Sequence, residues 1–214
     1  MTKSSAAKQA IFREPHPLAR ALLERTTPGS SVLEIGAGSG RNIAALIDAM
    51  NVTAIDSDTE RVAALQERFA DRGVHVSRAP YDRLPFVDQG FDAVLSTHAL
   101  LHGTPADIEA ILREIGRVNR RDALIFATFG SQRDARFGKG ARVGAQSFAP
   151  TDGDEAGVTH SYFNERELRA LLRDFKIERL EEVDVDRIAG AWAHVQTPLH
   201  GAVHWFAILR ISSK

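Results

Sequence analysis

The chain has 214 residues, 43% of them hydrophobic, which suits one compact domain with a sizeable core. Lys plus Arg is 27 and Asp plus Glu is 28, a formal net charge of −1, so the cationic excess that drives non-specific nucleic-acid binding is missing. There is no cysteine, which excludes disulfides, thiolate-held metals and a cysteine nucleophile.

The first ten residues, "MTKSSAAKQA", lack the apolar core of a signal peptide. No run approaches the roughly 18 apolar residues of a membrane span. A soluble, cytoplasmic protein with no membrane or nucleic-acid partner is expected. "PHPLARALLER" (15–25) reads as a helix within an N-terminal helical segment, 1–27. It is expected to lie over the functional site, with His16 or Arg20 nearby.

"SVLEI" (31–35) reads as a buried strand and "NIAALIDAM" (42–50) as the helix after it. "VTAID" (52–56) is a second strand. "SDTERVAALQERFADRG" (57–73) is a helix with Asp58 or Thr59 at its start and Gly73 as its stop. "VHVSRA" (74–79) and "FDAVLST" (91–97) are strands three and four. "TPADIEAILREIGRVN" (104–119) is a helix opened by Thr-Pro, and "DALIFATFG" (122–130) is strand five. Strands and helices alternating at this pace predict βαβ units and a parallel sheet covered on both faces.

After residue 130 the pattern breaks. Residues 131–160 are rich in Gly and polar side chains, far longer than an ordinary connection of roughly 4–6 residues, and are expected to form a lid or binding loop. "NERELRALLRDF" (164–175) reads as a helix capped by Asn164. "KIERLEEVDVD" (176–186) and "GAVHWFAILRI" (201–211) read as two final strands, and the absence of a clear helix between them predicts antiparallel pairing.

The densest chemistry lies at the end of strand one, in "VLEIGAGSGRN" (32–42). Glycines 36, 38 and 40 fall where the strand gives way to its helix, the place where open α/β sheets bind ligands. Glu34 is a carboxylate in an apolar strand, which is costly unless loop amides or a cationic ligand group engage it. Asp56 ends strand two, 20 residues after Gly36, the spacing at which a carboxylate meets ribose hydroxyls. A dinucleotide loop would read G-x-G-x-x-G, but position 41 is arginine. A pyrophosphate would also be repelled by Glu34. A positively charged nucleoside without phosphate, S-adenosylmethionine, suits the pair of acids better than NAD.

"VLEIGAGSGRN", "AIDSD" and "LPFVDQGFDAVLSTHALLHG" resemble the successive motifs of class I S-adenosylmethionine-dependent methyltransferases, over most of residues 28–130. "ATFGSQRDARFGKG" and "GVTHSYFNERELRALL" are similar, less specifically, to small-molecule methyltransferases of the tellurite-resistance type. The resemblance implies a Rossmann-like seven-stranded α/β sheet, order 3-2-1-4-5-7-6, with strand seven antiparallel. It implies one methyltransferase domain over 1–214, with 28–130 as cofactor core and 161–214 as a closing helix and strand pair. It also implies S-adenosyl-L-methionine as cofactor. By position, Gly36, Ala37 and Gly38 would line its methionine and ribose portion, with Glu34 and Asn42 close by. Asp56 would hold the ribose and Ser57 would lie beside the adenine. Tyr81 and Asp82 would edge the adenine, although the family's usual acid directly after strand three is replaced by Pro80. Ser96 and Thr97 would face the methionine amine.

Methyl transfer from a sulfonium needs chiefly an acceptor held in line, and a base only where the acceptor must lose a proton. The acceptor-side candidates are His98 and His102, four residues apart and on one face if the turn is helical. As a metal site the two lack an evident third ligand, so no metal is expected. Arg133 and Arg136, in the long loop with Lys139 and Arg142, are candidates for drawing in an anionic acceptor. Tyr162 is a candidate wall of the acceptor pocket. Trp192, His194, His200, His204 and Trp205 cluster near the last hairpin and are expected to be structural. The expected activity is methylation of a small molecule by a monomer or homodimer. The alternatives are a non-catalytic S-adenosylmethionine-binding regulatory protein and an NAD-dependent oxidoreductase.

Overall fold

The computed structural model describes residues 14–153, 155–191 and 200–212. Trp192 and His194 lie outside the described residues. Strands β1 (Ser31–Ile35), β2 (Asn51–Asp56), β3 (His75–Arg78), β4 (Phe91–Ser96) and β5 (Asn119–Ser131) form a parallel sheet in the order β3-β2-β1-β4-β5. The short β6 (Ala141–Arg142), β7 (Ser147–Ala149) and β8 (His160–Phe163) follow, then the long β9 (Phe175–Asp184) and β10 (Val203–Ile211). β10 runs antiparallel to both β5 and β9, which gives the expected 3-2-1-4-5-7-6 arrangement with an antiparallel seventh strand.

β5 outruns β4. β4 pairs it only as far as Ala127, while β10 holds the opposite edge from Leu124 to Gly130. The edge left open beyond Ala127 is taken by β8, which pairs in parallel at Gly130 and Ser131; β7 pairs antiparallel with β8, and β6 antiparallel with β7. Residues 131–160, without periodic pattern in the sequence, thus hold two small strands and lead into a third, β8. Gly130 lies in that crowded junction, where a Cβ would stand 2.4 Å from the Ser161 carbonyl oxygen.

Successive strand residues point to opposite sheet faces, and both faces are covered. Val32, Ala54, Ala93, Leu95 and Phe126 face helices α1 (Pro17–Arg25), α2 (Ile43–Leu46) and α3 (Thr59–Phe69). Leu33, Ile55, Val94 and Ile125 face α4 (Pro105–Val118) and α5 (Glu165–Leu171). This explains the unbroken apolar strands. α4 has Pro105 in its first turn and a reciprocal Thr104/Asp107 capping box, and α5 has the same box from Asn164 and Glu167. Asp58 caps α3 by accepting from the Glu60 and Arg61 amides, and Gly73 stops the following 3₁₀ turn at φ 70°.

The segment 42–50 is less helical than its periodicity predicts. Only Ile43–Leu46 is helical, and the Asn42 side chain does not cap it but is engaged elsewhere. Among the described residues no helix is long and apolar enough to cross a membrane.

Candidate functional site

The turn after β1 is shaped by its neighbours. The Gly36 and Ala37 amides both donate to the Ile55 carbonyl, at 2.9 and 3.0 Å, which folds the turn back over β2. At Gly36, φ is +73° and a Cβ would lie 2.6 Å from the Ala99 Cβ, so only glycine lets the β4 turn approach this closely. At Gly40 a Cβ would meet Leu65 and Phe69 of α3 at 2.6 and 2.7 Å. Gly40 therefore serves packing, while Gly36 keeps the crevice narrow.

Asp56 is buried at the tip of β2. Its Oδ2 accepts from the Gly38 amide at 2.9 Å and its Oδ1 from the Asp58 amide at 3.0 Å. A carboxylate has about four lone-pair directions, so two remain for a ligand. The Tyr81 hydroxyl accepts from the Ser57 amide at 3.3 Å and lies 3.5 Å from the position of a Gly36 Cβ. Tyr81 thus bridges the Asp56 tip and the glycine turn, and burial followed by the Asp56 charge raises its pKa. Asp82 is exposed one residue farther on.

Glu34 is 1% exposed on the face shared with α1 and α2. Asn42 Nδ2 donates to its Oε1 at 3.0 Å and to Thr97 Oγ1 at 3.1 Å, while Asn42 Oδ1 accepts from the His16 amide at 2.9 Å. One amide therefore ties the ends of β1 and β4 to the entrance of α1. Glu34 Oε2 is buried with no hydrogen-bond partner among the described residues. Burial pushes the Glu34 carboxyl up to about 8, against a pull downward from Asn42 and Arg41. The Ser96 hydroxyl is likewise buried without a partner there. Arg41, which breaks the dinucleotide pattern, is buried and donates to the Gly190 carbonyl at 2.7 Å.

His98 follows directly. Its φ is +69°, a left-handed conformation that costs a non-glycine residue roughly 1–2 kcal/mol. Its amide donates to Thr128 Oγ1 at 2.8 Å, which helps to hold this geometry. The His98 ring stands 5.6 Å from that of His16 and 5.2 Å from that of His204, both edge-on. The three imidazoles come from the N-terminal helix entrance, the β4 turn and β10. The Leu18 amide donates to His16 Nδ1 at 3.1 Å, so neutral His16 carries its proton on Nε2, a buried atom with no partner among the described residues. Burial lowers the pKa of His16, and pushes that of His204 down to about 4 with help from the Arg136 cation. Both rings are neutral near pH 7.

Arg136 donates to His204 Nε2 at 3.1 Å and grips Asp134 through two hydrogen bonds of 2.8 Å. Its charge is balanced in place by a fully buried carboxylate. Arg133 is on the surface, 2.8 Å from Glu182. Tyr162 is buried on β8, its phenol pushed up to about 12 chiefly by burial.

One expectation requires correction. Residues 97–103 form bends and turns rather than a helix, because His98 is left-handed, so His98 and His102 do not share a helical face. His98 joins the His16/His204 group, whereas the His102 ring packs 4.8 Å from His160. His204, expected to be structural, is buried beside the His98 ring and Arg136. Trp205 does have the structural role, its Nε1 donating to the Phe163 carbonyl at 2.8 Å.

Residues 32–122 match a family model described as "Methyltransferase domain". None of the curated proteins matches the chain in sequence. Among solved structures, a SAM-dependent methyltransferase from Methanosarcina mazei is similar with a TM-score of 0.74 at 19% identity, over 92% of this chain and 98% of that one. The 1,6-didemethyltoxoflavin-N1-methyltransferase of Burkholderia thailandensis, solved with 1,6-didemethyltoxoflavin and S-adenosylhomocysteine, gives 0.69 at 22% identity, over 95% and 79%. A SAM-dependent methyltransferase from Aquifex aeolicus gives 0.62 at 19% identity, over 99% and 100%. At these identities the structural likeness is one of fold.

Proposed function

We propose that the chain, whose residues 32–122 match a methyltransferase-domain model, is a class I, S-adenosylmethionine-dependent enzyme that methylates a small molecule held beside the three histidines. The observation that carries the cofactor half of this reading is Glu34: a buried acid with one oxygen unpartnered, beside a glycine turn that a Cβ would block. That arrangement fits a ligand with an ammonium group and no phosphate. Glu34, Ser96 and Thr97 would hold the methionine end, with Asn42 positioning Glu34 and Thr97. Gly36, Ala37 and Gly38 would border the ribose, and Asp56 would take its hydroxyls on the two lone pairs that the Gly38 and Asp58 amides leave. Ser57, Tyr81 and Asp82 would flank the adenine. When bound, S-adenosylmethionine supplies an activated methyl group.

The chain's own contribution is placement and proton handling. His98, His16 and His204 lie next to the Thr97 end of that crevice through the Asn42 hydrogen bonds. His16 Nδ1 and His204 Nε2 already accept from the Leu18 amide and from Arg136, so these two rings offer N–H donors, and His98 is the ring that would accept a proton from a hydroxyl, amine or thiol as it is methylated. The Asp134–Arg136 pair fixes His204 and balances the loop cation in place, which supports an acceptor with an uncharged, proton-bearing nucleophile. We read 131–160 as the acceptor-side cover of a single domain, supplying Arg136 and, through β8, Tyr162. The test is an acceptor screen that detects S-adenosylhomocysteine release, alongside calorimetric titration with S-adenosylhomocysteine and with NAD. Tight NAD binding without S-adenosylhomocysteine binding would sink the proposal.

A further inference from the structure

A second cluster lies apart from the three histidines. His102 on the β4–α4 turn, Glu155 on the preceding edge of the β7–β8 connection and His160 at the start of β8 bring one ligand-type atom each to within 4.8 Å of one another. His102 Nε2 is 3.6 Å from Glu155 Oε1, and His160 Nε2 is 3.2 Å from Glu155 Oε2. The backbone holds these elements together independently of the side chains: the Gly103 amide donates to the Thr159 carbonyl at 2.8 Å, and the Ser161 amide to the Leu101 carbonyl at 2.9 Å.

The proton arrangement at His160 sets the problem. Its Nδ1 is 2.8 Å from the Val158 carbonyl, which can only accept, so Nδ1 carries a proton. In the neutral ring, Nε2 then presents a lone pair to a carboxylate oxygen 3.2 Å away. Two acceptors facing each other need a positive centre between them: a second proton on the ring or a metal ion. A ring whose far nitrogen is fixed by a backbone carbonyl is the usual outer support of a metal-bound histidine.

The spacing suits an ion of the zinc class. Zn–N and Zn–O bonds of about 2.0–2.2 Å at tetrahedral angles put neighbouring ligand atoms about 3.4 Å apart. Each imidazole stands near that distance from one oxygen of the Glu155 carboxylate, His102 at 3.6 Å from Oε1 and His160 at 3.2 Å from Oε2, and a small side-chain adjustment would bring one ligand atom of each onto a common ion. Two imidazoles and one carboxylate leave a fourth position open, and borderline ligands of this kind favour zinc or a similar transition ion over magnesium or calcium. His160 is a buried, fixed ligand, while the His102 and Glu155 side chains are 39% and 32% exposed, which gives the ion a way in.

We propose that His102, Glu155 and His160 form a binding site for one divalent transition-metal ion, fastening the segment around residue 155 to the β4–α4 turn. Glu155 acts electrostatically on Arg136 and Tyr162, so an ion there would neighbour the residues proposed to border the acceptor.

The test is to strip the full chain with EDTA and titrate it with Zn²⁺ against a chromophoric chelator, with thermal unfolding as a second readout. The wild type is expected to bind one equivalent and to gain in melting temperature. Glu155→Gln and His102→Asn, at partly exposed positions, are each expected to weaken binding by at least the roughly 10–100-fold that loss of even an outer-shell partner costs. They should also lose the thermal gain. His75→Asn, an exposed histidine on β3, should leave both unchanged. The assignment is overturned if the wild type shows no one-equivalent binding, or if either Glu155→Gln or His102→Asn keeps wild-type affinity.

Discussion

Removing the Glu34 charge should make cofactor binding lose its proton release. In the free protein, burial lifts this carboxyl from its ordinary 4.5 to about 8. At pH 7 about nine in ten molecules therefore carry a proton there. An ammonium group placed beside Oε2 favours the ionised form, and a fall of the Glu34 pKa below about 6 would release about 0.8 proton per binding event at pH 7. Calorimetric titration with S-adenosylhomocysteine in phosphate and in Tris measures this directly, because the apparent enthalpy changes with the buffer's heat of ionisation. Release should shrink to about 0.1 proton at pH 9, where free Glu34 is already ionised. It should vanish in Glu34→Gln, together with affinity. Absence of proton exchange in the wild type at pH 7, or its persistence in Glu34→Gln, would refute the placement of the ammonium. The same shift has a consequence for the free protein. A folded-state pKa raised from 4.5 to about 8 makes stability fall as pH rises through that window, by a ceiling on the order of 5 kcal/mol. Glu34→Gln should flatten that decline in denaturant midpoint between pH 5 and pH 8.

Asp56→Ala should weaken S-adenosylhomocysteine by about 1.5–3 kcal/mol, roughly 10- to 150-fold in Kd, and unchanged affinity would remove the ribose assignment. Gly36→Ala should cost more stability than Gly29→Ala. Both glycines have positive φ, but only Gly36 meets a neighbour, so equal losses would contradict the close approach of Ala99. His98→Gly should keep or slightly raise stability, by up to about 1–2 kcal/mol of relieved backbone strain. With the acceptor that the screen identifies, its turnover should drop by about 10²-fold or more. Turnover at the wild-type level would take His98 out of the acceptor site.

The strands, their order of appearance and most of the helices were legible because each depends on neighbours within a few residues. Apolar runs such as "SVLEI" and "FDAVLST" announce strands buried on both faces, and Thr104 and Asp58 announce helix starts. The proposed cofactor crevice draws on the same local spacing: Glu34, three glycines and Asp56 fall within one βαβ unit, where spacing alone fixes geometry. The acceptor side was not. His16 reaches Asn42 across 26 positions, Asn42 reaches Thr97 across 55, and Arg136 reaches His204 across 68. Only the folded sheet decides that β10 returns beside β5, that β8 takes the edge β4 leaves, and that His102 meets His160 instead of His98. Local chemistry is written in local sequence, whereas a buried polar cluster is a meeting of distant segments, and no period or motif records which of them will meet.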